Sequence, residues 1–444
     1  MRRKVWIATA AIVVIVTAMS SPVAGAQTDG EKPTATEIGV TADEIRIAVV
    51  ADVDNQFAPG VFQGSVDGVK GWAKFVNANG GLAGRKVVVD FIDSKLSADD
   101  ARNAMIKACD EDFALVGTTA AFLNNVDDVV GCVDQAGEAT GIPDLAVVVP
   151  ELAQQCSPVT YALNPPAIIC STMDEHPQTY QGNVGRAFYY QKEFGKDLHG
   201  GYLFSGDLKS AENANRGTMT QMQDAGSGIA QDFEALVSAV SPQSAYTPLV
   251  RQLQDHSSNY AQSGSSFNTT VLLRKEAKLV GLDDADFIWD CTLQCYDRNL
   301  IEQGGDDVEG QYVSTLFLPF EDARTNQTLA DFLKYTGRDN ADGYAIQAYA
   351  LGLLFNQAVE QIVEADGANG LTRQALFEQL DTVNDFDAGG MIGTTDVADH
   401  ATTPCYVLTQ VRDGKFVRVH PKKKGTFDCK PRNVLEIELD LIKG

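Results

Sequence analysis

The sequence lacks the motifs of the common nucleotide-dependent and hydrolytic enzymes. Asp-Val-Asp-Asn-Gln at residues 52–56 stands after the first predicted strand, where a dinucleotide site would need Gly-x-Gly-x-x-Gly. The chain has neither a P-loop nor a Gly-x-Ser-x-Gly nucleophile elbow. Asp52 and Asp54 resemble the start of a calcium loop, but Phe57 and Gln63 replace the glycine and the bidentate glutamate that such a loop requires. We therefore predict a protein that is not an enzyme and has no cofactor.

Histidine is scarce, and basic residues are outnumbered by acidic ones. The five histidines are scattered singly, and Cys291 and Cys295 have no second pair at metal-ligand spacing. The 35 lysines and arginines face 60 acidic residues, which gives a net charge of −25. Such a chain repels nucleic acid and anionic membrane surfaces. We expect no metal site and no nucleic-acid partner, and we interpret the lysines at 422–424 as a solvated loop.

Long apolar runs are missing except at the N-terminus. Basic residues 2–4 precede an apolar stretch at 5–19, and small residues lead to Ala26. The apolar stretch is too short for a good transmembrane span. This pattern predicts a signal peptide, 1–26, cleaved after Ala26 and followed by a flexible leader, 27–43. No cysteine lies near the cleavage site, so we expect no lipid anchor. The predicted location is extracytoplasmic, whether in a periplasm, in the cell envelope or secreted.

Eight cysteines remain after this processing. An even number in an exported chain favours disulfides over free thiols. Eight cysteines allow 105 pairings, so the connectivity stays open. We expect pairing between sequence neighbours: Cys109 with Cys132, Cys156 with Cys170, Cys291 with Cys295, and Cys405 with Cys429.

A β-α-β-α-β unit opens the folded part of the chain. β-Branched runs at 45–51 and 87–92, and an apolar run at 113–117, are typical of buried parallel strands. Apolar residues between 62 and 76 recur at three-or-four spacing, as on one face of a helix. Asn-Gly-Gly-Leu-Ala-Gly at 79–84 ends that helix. A right-handed crossover then places the three strands parallel in one sheet.

Strands and helices continue to alternate after residue 117. We predict a helix over 124–136 and a break in the pattern after residue 164. A second α/β run begins at residue 182. We interpret 257–282 as an insertion on the second lobe.

The order of these elements resembles a known family. The helix runs into Asn-Gly-Gly-Leu-x-Gly-Arg-Lys-Val at 79–87, and the next strand ends in Asp before Ser-x-x-Asp-Ala at 97–101. This looks like the first lobe of type I periplasmic binding proteins, specifically the branched-chain amino-acid-binding (Leu/Ile/Val) family of ABC-transporter substrate-binding proteins. The resemblance extends to about residue 420.

The resemblance implies an α/β fold with two doubly wound lobes, a hinge of three crossings and a ligand cleft between the lobes. Lobe one would comprise 44–164 and 318–388. Lobe two would comprise 165–317 and 389–422, and 423–444 would form a C-terminal tail. The crossings are expected near 161–166, 314–319 and 387–394.

The resemblance also implies a function. The protein would be a monomeric receptor that captures a small molecule by lobe closure and delivers it to the permease of an ABC importer. Two alternatives stay open at this stage. One is a ligand-sensing domain without transport, and the other is a hydrolase that uses an acidic pair in the cleft.

Amino-acid-binding members of the family hold the ligand's carboxylate and ammonium with hydroxyl groups after the third and fourth strands. In the loop after the third strand, Ala121 stands where the family has a serine, although a shift of register would place the Thr119 hydroxyl there. The loop after the fourth strand, 147–151, has no hydroxyl. A zwitterion there would leave its charges unpaired. We therefore expect a less polar ligand, aromatic or aliphatic, packed on Phe57 and Phe122. The candidate ligand-binding residues are Asp52, Asn55, Phe57, Thr118, Thr119, Ala121, Phe122, Val148, Asp207, Gln294 and Tyr296.

Overall fold

The computed structural model describes residues 32–55, 59–164, 167–207, 209–226, 228–238, 240–264, 266–282 and 286–441. The predicted signal peptide, the leader before residue 32 and Phe57 lie outside these ranges.

The first half of the described chain forms a parallel five-stranded sheet and its helices. The sheet order is β2-β1-β3-β4-β5, and every pairing is parallel. The elements are β1 Glu44–Ala51, α1 Gln63–Ala78, β2 Lys86–Asp93, α2 Ala98–Glu111, β3 Ala114–Thr118, α3 Asp127–Val130, β4 Asp144–Ala146, α4 Leu152–Gln155 and β5 Thr160–Ala162.

The second half builds a seven-stranded sheet with one antiparallel edge and a separate two-stranded sheet. The sheet orders are β13-β12-β11-β10-β9-β7-β8 and β14-β6. The elements are β6 Gln178–Asn183, α5 Gly185–Phe194, β7 His199–Ser205, α6 Lys209–Asp224, β8 Ala230–Val237, α7 Thr247–Asp255, β9 Tyr260–Ser263, α8 Phe267–Leu279, β10 Ile288–Cys291, α9 Arg298–Gly304, β11 Tyr312–Thr315, α10 Gln327–Thr336, α11 Gly343–Asp366, α12 Arg373–Leu380, β12 Val407–Arg412, β13 Lys415–His420 and β14 Val434–Leu439.

The predicted α/β fold with two sheet-containing lobes is confirmed. The apolar face of α1 is buried, as its spacing predicted. Its glycines serve a purpose that the apolar pattern did not reveal, because they let α1 approach α11 closely. A Cβ at Gly68 would lie 2.1 Å from the carbonyl oxygen of Ala345, and one at Gly64 would meet the Asp342 carboxylate. This close contact joins α11, from late in the chain, to the first sheet.

The chain passes between the two large sheets three times within the described residues. It leaves the five-stranded sheet after β5, returns after β11 to form α10 and α11, and leaves again before β12. The last two connections lie side by side, since Leu318 N donates to Met391 O at 2.9 Å and Gly393 N donates to Leu316 O at 2.7 Å.

Two predicted elements differ from the structure. The helix predicted over 124–136 is restricted to α3, because Gly131 ends it and the Asp134 carboxylate then accepts hydrogen bonds from the backbone of Ala136 and Glu138. The stretch 257–282 is not an insertion. It supplies β9, which lies between β7 and β10 inside the large sheet, and then α8.

Both chain ends are more structured than we predicted. In the leader, Glu37 accepts hydrogen bonds from Gln135 N and Arg373 N, so the described residues 32–43 are bound to the first lobe. In the predicted C-terminal tail, β14 pairs antiparallel with β6 along its whole length. The reason is the same at both ends, because each segment meets partners that are remote in sequence.

All four predicted disulfides form, with Cα–Cα separations between 3.9 and 6.1 Å. Cys109 lies on α2 as predicted, whereas Cys132 follows α3 and does not lie within a helix. Cys156 precedes β5, and Cys170 lies within the first connection between the large sheets, before β6. This disulfide therefore ties that connection to the segment after α4 of the first lobe.

Candidate functional site

A cavity of about 440 Å³ lies between the two large sheets. It is bordered by residues that follow β4, β5, β9, β10 and β11, which is where open α/β sheets bind ligands. The described lining residues are Val147, Val148, Val149, Pro150, Gln155, Asn164, Ala167, Asn183, Arg186, Ala211, Ala214, Asn215, Gly264, Thr292, Leu293, Gln294, Ser314, Thr315, Leu316, Phe317, Tyr344 and Gln347.

Two of the predicted ligand-binding residues line this cavity. Val148 is half-buried in the loop after β4, which brings three valines and a proline to the cavity wall. Gln294 belongs to a short 3-10 turn, Leu293–Cys295, and its Oε1 accepts a hydrogen bond from the Thr292 hydroxyl at 2.8 Å. The wall therefore combines an apolar side from the first lobe with an amide from the second.

The loop after β3 lies behind this wall. Thr118, Thr119 and Ala121 are buried, and Phe122 packs half-buried against the core of the first lobe. None of the four is among the described residues that line the cavity.

Asp52 connects three loops of the first lobe. Its carboxylate accepts hydrogen bonds from the Ser94 hydroxyl at 2.6 Å and from the backbone N–H groups of Leu96 and Ala121 at 2.7 Å each. Burial raises the pKa of Asp52, and these hydrogen bonds oppose the rise. Its two oxygens therefore hold the loops after β1, β2 and β3 together.

Three further candidates lie apart from the cavity. Tyr296 is buried, and its ring stacks on Phe416 with 4.4 Å between ring centroids. Its hydroxyl donates to Glu321 at 3.0 Å, and burial followed by the Glu321 charge raises its pKa. Asp207 is exposed after β7, and Asn55 is half-buried after β1; neither lines the cavity.

Arg186 is one of the cavity residues that sequence reasoning missed. It lies buried at the start of α5 and lines the cavity. Its Nε donates to Asp290 at 2.8 Å and its Nη1 to Asn183 O at 3.3 Å, whereas Nη2 finds no acceptor among the described residues. Burial lowers the pKa of Arg186, but the Asp290 carboxylate outweighs burial and holds the pKa above its ordinary value. Arg186 is therefore a charged donor fixed at the cavity wall.

A buried hydrogen-bond network around Asp290 holds Arg186 in place. Asp290 at the end of β10 also accepts hydrogen bonds from the Tyr190 hydroxyl at 2.7 Å and the Tyr260 hydroxyl at 2.8 Å. The sequence contains a signal for this network, because Asp290 follows the apolar residues Phe-Ile-Trp at 287–289. A carboxylate buried at the end of such a strand requires a cation or several donors.

The other polar groups at the cavity are mostly uncharged amides and hydroxyls. Asn164, after β5, donates a hydrogen bond to Gln347 on α11. The lining residues that the structure describes include neither Asp nor Glu, and Arg186 is the charged residue among them. The cavity thus offers many hydrogen-bonding groups and one arginine whose charge Asp290 already balances.

A family model described as a periplasmic binding protein matches residues 44–415. The chain belongs to this family. More narrowly, it falls in the type I, branched-chain amino-acid-binding group that the sequence resembled. Members of the family are substrate-binding proteins that act outside the cytoplasm with transporter permeases. No curated protein matches this chain.

Solved periplasmic binding proteins share the fold at low sequence identity. An ABC-transporter substrate-binding protein from Aeropyrum pernix is 16% identical, with a TM-score of 0.66. The aligned region covers 88% of this chain and 97% of that protein. A fatty acid ABC-transporter substrate-binding protein from Thermomonospora curvata is 15% identical with a TM-score of 0.66, covering 91% and 97%. A leucine-binding protein from Thermotoga maritima is 15% identical with a TM-score of 0.62, covering 84% and 97%.

The described residues of this periplasmic binding protein contain neither a candidate membrane span nor a candidate metal site. None of its described helices combines the length and apolar character needed to cross a membrane. No group of three or more His, Cys, Asp or Glu side chains in the same part of the chain could hold a metal ion.

Proposed function

We propose that this protein captures a small molecule between its lobes and delivers it to an ABC importer. The observation that carries the proposal is the position of the cavity, which lies between two α/β lobes at the carboxyl ends of their strands. Family membership supports the same role. Binding would favour a closed arrangement, which the permease would recognise.

The moving bodies we propose are the lobes expected from the sequence, 44–164 with 318–388 and 165–317 with 389–422. The three connections between the sheets support this division. Their hydrogen-bonded pair, Leu316–Leu318 with Met391–Gly393, would form the hinge, because hinges place the backbone change in a few residues at the ends of elements.

The ligand we propose is less polar than a free amino acid. An ammonium group in the cavity would meet no carboxylate among the described lining residues, and a buried charge without a partner costs several kcal/mol. The similar structures do not decide the ligand, because one title names leucine and another names fatty acid. Val148 and Gln294 are the predicted residues that we propose for direct contact, joined by Arg186, Asn164 and Gln347.

Five other predicted site residues receive a supporting role in this proposal. Asp52 would fix the loops of the first lobe, and Thr118, Thr119, Ala121 and Phe122 would support the valine loop from behind.

We also propose that the chain is exported by its N-terminal signal, is cleaved after Ala26 and acts as a monomer.

A thermal-shift screen of small metabolites tests the function. A ligand at about a hundred times its Kd adds about 2.7 kcal/mol to the free energy of unfolding. Calorimetry of each hit should compare the wild type with Val148→Trp, which fills the cavity and should abolish binding. Val240→Trp is the matched control, because Val240 is 57% exposed and lies outside the cavity. Micromolar binding of leucine, isoleucine or valine would refute the expected ligand polarity.

The same samples separate the two alternatives. A receptor should release its ligand chemically unchanged, so mass spectrometry after denaturation should recover it intact. Turnover would favour a hydrolase. Ligand-dependent uptake by vesicles that contain the cognate permease separates transport from sensing alone. A ligand that binds tightly but never enters such vesicles would favour the sensor.

A further inference from the structure

A second chamber adjoins the interlobe cavity. This chamber has a volume of about 650 Å³, and four residues line both spaces, namely Pro150, Gln155, Ala167 and Ala214. The second chamber lies between the segment around α4, the start of α6 and the two-stranded sheet. The two spaces are therefore adjacent and are together called the groove, and Ala214 is one of the residues at their boundary.

A small hydrophobic cluster makes one wall of the side chamber. Ile168 and Tyr180 are buried together with Ile437 of β14, and Leu152 and Leu441 pack against them. All of these except Ile437 line the chamber itself. The wall is apolar and belongs to a core that is separate from those of the two large sheets.

Backbone pairing and a disulfide fix this wall. The segment before β6 is joined to it, since Ile169 N donates to Thr179 O at 2.9 Å and Gln181 N donates to Ala167 O at 2.7 Å. Cys156 is bonded to Cys170, which ties α4 to this wall. The side chamber is therefore a built part of the molecule, because the disulfide holds α4 of the first lobe against the part of the wall that lies beyond residue 164.

Five charged residues are among those that line the side chamber, namely Glu151, Lys209, Glu212, Arg216 and Asp440. Lys209 Nζ lies 2.9 Å from Glu212, and Arg216 contacts both Glu212, at 3.0 Å, and Glu234, at 2.6 Å. Because both cations are paired with carboxylates and carboxylates outnumber cations, the side chamber disfavours an anionic end group. The interlobe cavity differs, because Arg186 there has an Nη2 donor without an acceptor among the described residues.

We propose that the ligand is an elongated amphiphile. Its acceptor-bearing head, a carboxylate, lies at Arg186, and its apolar chain passes Ala214 into the side chamber. This inference rests on the proposed receptor function and specifies the ligand class. A compact ligand would use the interlobe cavity alone and would leave the apolar side chamber without a role.

The test is calorimetry with straight-chain saturated carboxylates from butanoate to hexadecanoate, below their micelle concentrations. Each methylene buried in the groove should tighten binding about fourfold. The rise should continue along the series until the side chamber is full. Primary alcohols of the same lengths should bind more weakly than the acids, because they bring a neutral acceptor to Arg186. This comparison tests the head group without a substitution that could unfold the buried network.

Asn213→Trp tests the path of the chain by filling the side chamber, because Asn213 lines that chamber and does not line the interlobe cavity. Long carboxylates should lose affinity by tenfold or more, while short ones should bind as they do to the wild type. Thr220→Trp on the same helix lies outside both spaces and should bind the whole series as the wild type does. An affinity that is independent of chain length, or equal for acids and alcohols, would overturn the proposal.

The outcome also separates this inference from the receptor proposal. If no carboxylate binds but the metabolite screen finds a compact ligand that is unaffected by Asn213→Trp, the elongated ligand is refuted and the receptor stands. If no compound binds in either experiment, both proposals fail.

Discussion

Removing the disulfide between Cys156 and Cys170 should loosen the connection between the lobes. Cys156 follows α4, which is fixed to the first sheet through Gln154, whose Nε2 donates to Asp144 at 3.0 Å. Cys170 lies within the connection and beside β6, since Ile169 N donates to Thr179 O. The double substitution Cys156→Ser with Cys170→Ser should therefore let the open, ligand-free protein reach larger lobe separations than the wild type.

The cost in stability can be estimated from the size of the closed loop. A sequence separation of 14 corresponds to about 3 kcal/mol of lost loop entropy in the unfolded chain at 25 °C. The disulfide between Cys109 and Cys132, with a separation of 23, lies within the first lobe and corresponds to about 3.4 kcal/mol. Its double serine variant is therefore a control with nearly the same loss of stability and no effect on the hinge.

Small-angle scattering and urea unfolding together make the test. Both variants should unfold at lower urea concentrations than the wild type. The radius of gyration of the ligand-free protein should increase only in the variant without the Cys156–Cys170 disulfide. An unchanged radius in that variant, or an equal increase in the control, would refute a tether between the lobes and leave the disulfide with a local role.

Three further predictions concern stability. Gly68→Ala should destabilise the protein, because its Cβ would meet the Ala345 carbonyl. Gly217→Ala should instead stabilise the protein by up to about 1 kcal/mol, because the nearest atom to its Cβ belongs to Tyr180 and lies 3.8 Å away. Urea midpoints that shift in the same direction in both variants would contradict this. Burial and then the Asp90 carboxylate raise the pKa of Asp112 to about 8, so its folded form holds a proton that the unfolded form loses, and stability falls as pH rises from about 4 to 8. Asp112→Asn should remove that fall, and pH profiles parallel to the wild type would refute the assignment. Thr372→Ala removes the hydroxyl that caps α12 and should cost about 1 kcal/mol, while Thr372→Ser should cost little; equal losses in urea melts would argue against the cap.

Most helices and strands could be predicted because the pattern that specifies each one lies within a short stretch of sequence. The apolar spacing of α1 and the buried runs of β1 and β3 are read directly from neighbouring residues. The strand β9 was not predicted from the sequence because it places polar side chains in the core, where Gln262 and Ser263 are both buried. Hydrophobic periodicity does not detect a buried strand of that composition.

The site was harder to predict because its residues come from distant parts of the chain. Arg186 depends on Asp290, which lies on another strand of the second lobe. Gln294 and Tyr296 are two residues apart, and the 3-10 turn between them directs the first to the cavity and the second to the core. Only the packed structure determines which of two such neighbours faces a ligand.

The late position of α11 and β14 in the chain sets an order for folding. The apolar face of α1 stays uncovered until α11 has been synthesised, which at roughly 5–20 residues per second takes on the order of tens of seconds. The strand β6 waits still longer for β14. A nascent chain is thus kept from a finished fold until nearly all of it exists, which would keep it unfolded for the export proposed above. A truncation before β14 would leave the β6 edge open to pairing with another chain.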